Sequence, residues 1–234
     1  RNGALRLAKA EFLLRAEHDG RYAPLPQGTI ETLEYFGLSS ELDGFTTQQV
    51  LEWLRFNPCV TAALDNVSMN LSAKSIVDGS FMDGLYREVR HSGVPPEKLC
   101  FEITETAAIE HLEVAAEVIT EFKNIGCKFS LDDFGSGLCS FGYLKTLPVD
   151  EVKIDGRFTK DMATNAVSQE IVRAIHQVAK STGKKTVAEF VDEAEKLRVL
   201  REIGVDYAQG WLFYAAVTPE RFLKLLAEPA SSGT

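Results

Sequence analysis

The stretch KFSLDDFGSG, Lys128 to Gly137, decides how the rest of the chain is read. Phe129 and Leu131 alternate with Lys128 and Ser130, which is the period of a strand, and Gly135 and Gly137 supply the freedom to turn sharply after it. Asp132 and Asp133 therefore stand where a strand stops. Neighbours in mid-strand point to opposite faces, whereas a chain bending at its end aims both carboxylates into one space. Like charges about 4 Å apart repel by roughly 4 kcal/mol at an effective dielectric of about 20, so the pair needs solvent, a proton or a cation. Two readings stay open on these residues alone: an acidic turn facing water, or part of a divalent-metal site.

Working outward, the same kind of segment recurs. Strands are predicted over Ala8 to Leu14, Asn66 to Leu71, Leu99 to Glu105, Val149 to Ile154, Lys184 to Val191 and Asp206 to Phe213. Between them the spacing of apolar residues predicts helices over Ile30 to Gly37, Thr46 to Phe56, Ser80 to Arg90, Ala107 to Ile125, Ala166 to Ser181, Glu193 to Ile203 and Pro219 to Leu226. His18 to Gln27, rich in Gly and Pro, reads as a loop. Alternating strand and helix call for parallel strands with helices outside them, as a closed barrel or an open doubly wound sheet. The barrel is favoured because a carboxylate, amide or amine recurs at nearly every strand end, as expected when all strands open into one mouth. Seven strands are one short of the eight of a TIM-like (β/α)8 barrel, so the missing one is Arg1 to Arg6 or lies upstream.

A length of 234 residues and 45% hydrophobic content suit a single barrel domain over 1–234, expected to be a piece of a larger multidomain protein. A net charge of -9 argues against a nucleic-acid polymer as partner, because phosphate contacts by Lys and Arg dominate such binding. Cys59, Cys100, Cys127 and Cys139 show no paired metal-ligand spacing and suit reduced, packing cysteines in the cytoplasm. No apolar run approaches the roughly 20 residues that span a bilayer. The expected setting is cytoplasmic, or the cytoplasmic part of a membrane-anchored protein, with no membrane contact by the domain itself.

Collected at one mouth, Glu11, Asn70, Glu102, Asp132, Asp133 and Glu189 are all oxygen donors, which select Mg²⁺ or Mn²⁺ over zinc. Five carboxylates exceed what one ion neutralises, which argues for two ions and suits phosphodiester hydrolysis. Lys153 can orient the attacking water or meet developing charge. A one-metal enolising barrel, with Lys153 as the proton-abstracting base, is the competing reading.

These strand ends resemble the EAL-domain phosphodiesterases, which open the bacterial second messenger cyclic di-GMP. The likeness rests on seven ordered motifs: EFLLR from Glu11, NLS from Asn70, EITE from Glu102, DDFGSG from Asp132, KID from Lys153, AEFVD from Ala188 and QGWLF from Gln209. It implies a TIM-like barrel with an irregular first strand, two Mg²⁺ or Mn²⁺ ions, and hydrolysis of cyclic di-GMP to linear pGpG. By the same resemblance Glu11, Asn70, Glu102 and Asp132 hold one ion, while Asp132 bridges to a second held by Asp133 and Glu189. Lys153 would contact the attacking water and Gln209 would order water at the metals. Arg15, Asp155 and Asp192 would face substrate, and Glu105 would anchor the loop Phe134 to Ser140, which in the family takes part in homodimerisation.

Several positions depart from the pattern. Phe12 stands in the middle of the naming motif, Ala16 replaces a tryptophan, Phe190 replaces the glycine after the catalytic glutamate, and Asp192 replaces a glutamate. The opening strand with its substrate-facing glutamine is missing. These changes spare the implied metal ligands and touch nucleotide contacts, which leaves a cyclic di-GMP receptor without turnover as the second reading.

Overall fold

The computed structural model describes residues 5–135 and 141–227. β1 (Lys9–Phe12) leads into an antiparallel hairpin, β2 (Ala16–His18) and β3 (Arg21–Ala23), and then into α1 (Thr29–Tyr35), α2 (Ser39–Phe56) and α3 (Pro58–Ala63). Strand and helix then alternate. β4 (Asn66–Asn70) precedes α4 (Ala73–Val77) and α5 (Gly79–His91), and β5 (Leu99–Thr104) precedes α6 (Glu105–Glu110) and α7 (Leu112–Asn124). β6 (Lys128–Phe134) is followed by β7 (Glu151–Ile154), α8 (Gly156–Thr159) and α9 (Ala166–Ser181), then β8 (Lys185–Ala188), α10 (Ala194–Ile203), β9 (Tyr207–Ala208) and α11 (Pro219–Ala227).

All seven predicted strands enter one parallel sheet in the order β1-β4-β5-β6-β7-β8-β9. Its first and last members meet through side chains: Gln209 Nε2 donates to Glu11 Oε2 at 2.8 Å, and Lys9 Nζ lies 3.8 Å from the centre of the Tyr207 ring. The sheet is therefore curled into a TIM-like barrel. Among the described residues no backbone ladder joins β9 to β1, so the barrel is incomplete at this seam. The expectation that Arg1 to Arg6 supply the eighth strand falls partly outside the described residues; residues 5–8 form no strand, and Arg6 instead pairs with Asp65 at 2.6 Å.

Period-two alternation divides the strands between two environments. Val67, Met69, Phe101, Ile103, Phe129, Leu131, Val152 and Ile154 are buried in the hydrophobic core. Phe101, Phe122 and Phe129 meet at ring-centre distances of 5.5 to 6.1 Å, tying β5 and β6 to α7. Of the intervening residues, Ser68, Glu102, Ser130, Glu151 and Lys153 are also buried but polar, where barrels usually carry branched apolar side chains.

Several local expectations give way. The stretch from His18 contains half of the hairpin, and α2 begins earlier than Thr46, pinned by the buried Asp43, whose Oδ2 accepts from Ser72 N at 2.7 Å and Ser75 Oγ at 2.6 Å. The helix expected over Ala107 to Ile125 breaks at His111, which resets its phase: Ile119 and Phe122 stay buried while Ile109 and Val114 turn outward. On α9 the buried side is Val172, Ile175, His176 and Ala179, with Ile171 and Val178 only partly buried. The last strand shrinks to two residues because Gly210 turns the chain at φ 152°, so close to Val191 that a Cβ there would stand 2.3 Å from its carbonyl oxygen.

Phe129→Ala removes a ring at the centre of the core and is expected to lower stability in urea by about 3–5 kcal/mol, against about 0.5 kcal/mol or less for the exposed Phe56→Ala. Equal effects of the two would contradict this packing.

Candidate metal and active centre

The strands of the curled sheet, or the residues just past β8 and β9, carry polar side chains to the same end. Lys153 on β7 is the hub: its Nζ lies 2.7 Å from Glu102 Oε2, 3.0 Å from Glu189 Oε1, 3.1 Å from Asp132 Oδ1 and 3.6 Å from Glu11 Oε2. Asn70 Nδ2 donates to Glu11 Oε1 at 3.1 Å, and Gln209 holds the other oxygen of Glu11 from across the seam. Glu11, Asn70, Glu102, Asp132, Lys153, Glu189 and Gln209 thus come together as the sequence predicts, and Asp133 joins them.

The mechanism that gathers the two aspartates is more specific than a bending strand end. Leu131 pairs with Val152 and Phe134 with Ile154, so Asp132 and Asp133 share one position opposite Lys153. This is a β-bulge, with Asp133 in the left-handed region at φ 53°. The extra residue breaks the alternation that would have sent the second carboxylate outward. Carboxylate oxygens of Asp132, Asp133 and Glu189 consequently lie within 4.8 Å of one another. A hard divalent cation fits this all-oxygen set, with Glu11, Glu102 and the Asn70 amide beside it.

The electrostatics agree. Burial pushes Glu102 up to about 7, with Glu11 and Asp132 adding to the rise and Lys153 opposing it. Burial likewise carries Glu189 to about 7, again against Lys153. Asp133 is raised by burial and then by Asp132 and Asp155. Burial disfavours the Lys153 ammonium, but Glu102, Glu11, Asp132 and Glu189 outweigh it and hold the amine above the ordinary lysine value. With no cation among the carboxylates, Lys153 is a positive donor.

Other expected residues are engaged in local pairings, Asp155 within electrostatic reach of Asp133. Arg15 Nη1 donates to the Leu14 carbonyl at 2.9 Å. Asp155 accepts from Arg157 N at 2.7 Å and Nε at 3.0 Å, capping α8, and Asp192 is exposed and paired with Lys196 at 2.6 Å. Glu105 accepts from Gly135 N at 2.8 Å and from the Tyr143 hydroxyl, so it ties together the two ends that flank residues 136–140. Those five residues, which belong to the expected dimerisation loop, lie outside the described residues. Sequence reasoning missed Tyr143 and the buried Thr159, whose hydroxyl donates to the Glu189 carbonyl at 2.5 Å. A partner held through its backbone leaves no signal in residue type.

A match to the EAL domain family covers residues 3–216. The chain belongs to the EAL domain family. Among its relatives is cyclic di-GMP phosphodiesterase PdeB of Shewanella oneidensis, 38% identical over 204 residues that cover 87% of this chain and 24% of that protein. Cyclic di-GMP phosphodiesterase PdeA of Borreliella burgdorferi is 34% identical over 209 residues, covering 88% of this chain and 31% of that protein. This EAL chain therefore spans about a quarter and a third of the length of these two relatives. A solved structure titled PaMucR phosphodiesterase, in complex with c-di-GMP, superposes with a TM-score of 0.83 at 27% identity, covering 91% of this chain and 86% of that one. The FimX EAL domain of Pseudomonas aeruginosa bound to c-di-GMP gives 0.77 at 27% identity, covering 86% and 80%.

A ligand carboxylate must be ionised to bind a metal, so with Glu102 and Glu189 at about 7 the Mn²⁺ affinity of the EAL domain is expected to rise about tenfold or more from pH 6 to pH 8. Calorimetric titration at the two pH values checks this, and equal affinities would contradict it. Without metal the sign reverses for stability: the folded state binds more protons than the unfolded chain between the ordinary value of 4.5 and about 7, so stability in urea is expected to fall as pH rises through that window.

Proposed function

We propose that this EAL domain is a metal-dependent phosphodiesterase that hydrolyses one phosphodiester bond of cyclic di-GMP to give linear pGpG, with two Mg²⁺ or Mn²⁺ ions. The observation that carries the reading is the convergence of Asp132, Asp133 and Glu189 on a space bounded by Glu11, Asn70 and Glu102. The two relatives named as cyclic di-GMP phosphodiesterases support the substrate.

In this reading Glu11, Asn70, Glu102, Asp132, Asp133 and Glu189 would hold the two ions between them. The ions supply charge neutralisation for the phosphodiester and lower the pKa of water enough to make a nucleophile without a histidine base. Lys153, which pairs with these carboxylates when no ion is bound, would donate to the attacking water and to oxygen charge that grows at phosphorus. Gln209 and Asn70 grip the two oxygens of Glu11 and fix the orientation of that ligand. Glu105 holds Gly135 and Tyr143, and through them the loop after Asp133, at which a homodimer would form. Arg15 serves a substrate phosphate, with Asp155 and Asp192 at the rim. Among the described residues no helix is long and apolar enough to cross a membrane, and the free thiols of Cys59, Cys100 and Cys127 suit the cytoplasm.

A cyclic di-GMP receptor without turnover is the second reading, favoured by the local pairings that already engage Arg15, Asp155 and Asp192. Incubation with cyclic di-GMP and Mn²⁺, followed by chromatography, separates the two. The enzyme yields pGpG in an EDTA-sensitive reaction; saturable binding without product selects the receptor. Glu11→Ala and Asp132→Ala are each expected to lower turnover at least about a hundredfold with the circular dichroism spectrum retained, and wild-type turnover in either removes the metal assignment.

A further inference from the structure

Glu189 stands one residue beyond β8, where the regular sheet has already ended. Gln209 N donates to the Ala188 carbonyl at 2.8 Å, but the Gln209 carbonyl accepts from Val191 N at 3.0 Å, where a regular parallel ladder would take the N–H of Phe190. The chain leaving β8 therefore carries one extra residue against β9, with Phe190 in the left-handed region at φ 53°. Asp133 has the same φ in the bulge opposite Lys153, so both interruptions fall beside a proposed metal ligand. On the β7 side the last rung is stretched. Glu189 N reaches the Ile154 carbonyl only at 3.4 Å, and the next donor in register, Gly156 N, has left the sheet to open α8.

The Glu189 carbonyl takes its bond from a side chain instead. Thr159, wholly buried at the end of α8, donates its hydroxyl to that oxygen at 2.5 Å, while the Gly156 carbonyl, the ordinary acceptor one helical turn back, lies at 3.3 Å. A valine would fill the same space, and a buried hydroxyl costs free energy unless it is bonded, so the bond to Glu189 is what the hydroxyl contributes. Resting on the reading of Glu189 as a metal ligand, we propose that Thr159 is a positioning residue for the metal centre. Its hydroxyl replaces the missing ladder donor, fixes the backbone of Glu189 where the sheet no longer does, and so sets where that carboxylate meets the cations beside Asp132 and Asp133.

The test uses the whole chain, with Mn²⁺ as the probe, and the variants Thr159→Val, Thr159→Ser and Val172→Ala. Calorimetric titration gives the Kd for Mn²⁺, and the melting temperature is read in EDTA. Thr159→Val is expected to raise Kd about tenfold, whereas Thr159→Ser, which keeps the donor, stays within about threefold of the wild type. Val172→Ala, which removes buried methyl groups from α9 and leaves the hydroxyl in place, is expected to lower the melting temperature with Kd unchanged within about twofold. In turnover the Thr159→Val variant is expected to lose kcat about tenfold with the KM for cyclic di-GMP within about threefold of the wild type, because the hydroxyl acts on a metal ligand and not on the nucleotide. A wild-type Kd in Thr159→Val would overturn the positioning role while leaving the phosphodiesterase reading intact. A rise in Kd that Thr159→Ser does not reverse, or that Val172→Ala matches in step with its melting temperature, would also overturn it and make the hydroxyl structural. Wild-type protein that binds no Mn²⁺ would overturn both the positioning role and the metal reading on which it rests.

Discussion

One buried ammonium surrounded by carboxylates from four other strands is the constraint around which this barrel is built. Lys153 lies within 3.6 Å of Glu11, Glu102, Asp132 and Glu189, and both Lys153 and Glu102 are almost wholly out of solvent. Unit charges about 4 Å apart interact by roughly 4 kcal/mol at an effective dielectric of about 20, so the repulsions among the acids rival their attractions to the lysine. Such an arrangement persists only if the backbone imposes it. A parallel sheet imposes it by running every strand toward one end, and the apolar face of that sheet, with Phe101, Phe129 and Leu131 at its centre, supplies burial that offsets the cost.

The same constraint accounts for the irregularities. A regular strand cannot show two consecutive side chains to one space, and the bulge opposite Lys153 removes that obstacle at Asp132 and Asp133. Gly210 lets the chain after β9 approach Val191 closely enough that Gln209 reaches Glu11 across the seam. Thr159 ties α8 to the backbone of Glu189, and Glu105 ties the first turn of α6 to Gly135. Each irregularity sits at the C-terminal ends of the strands, and each acts on a group that faces the mouth.

Much of this was legible in the residues. The seven strands stand out because alternation survives even where both faces are buried, and the polar residue closing each strand gave the converging set from Glu11 to Gln209. Other features left no such trace. The hairpin of β2 and β3 is short and exposed, so no apolar pattern marks it. The break at His111 depends on how α6 and α7 pack separately, and apolar spacing alone carries Ile109 into a single helix. Asp155 and Asp192 read as site residues by position, yet each is taken up locally, by Arg157 and by Lys196. Residue type tells what a side chain can hold; the packing around it decides what it does hold.

The central claim is that oxygens from separate strands form a cage for divalent cations. Anomalous diffraction from a crystal of this domain soaked in Mn²⁺ tests it most directly. The account predicts density between Asp132, Asp133 and Glu189, with a second peak toward Glu11, Asn70 and Glu102 and the Lys153 ammonium displaced from the centre. A mouth without anomalous signal at saturating Mn²⁺, with Lys153 still spanning the carboxylates, would contradict it.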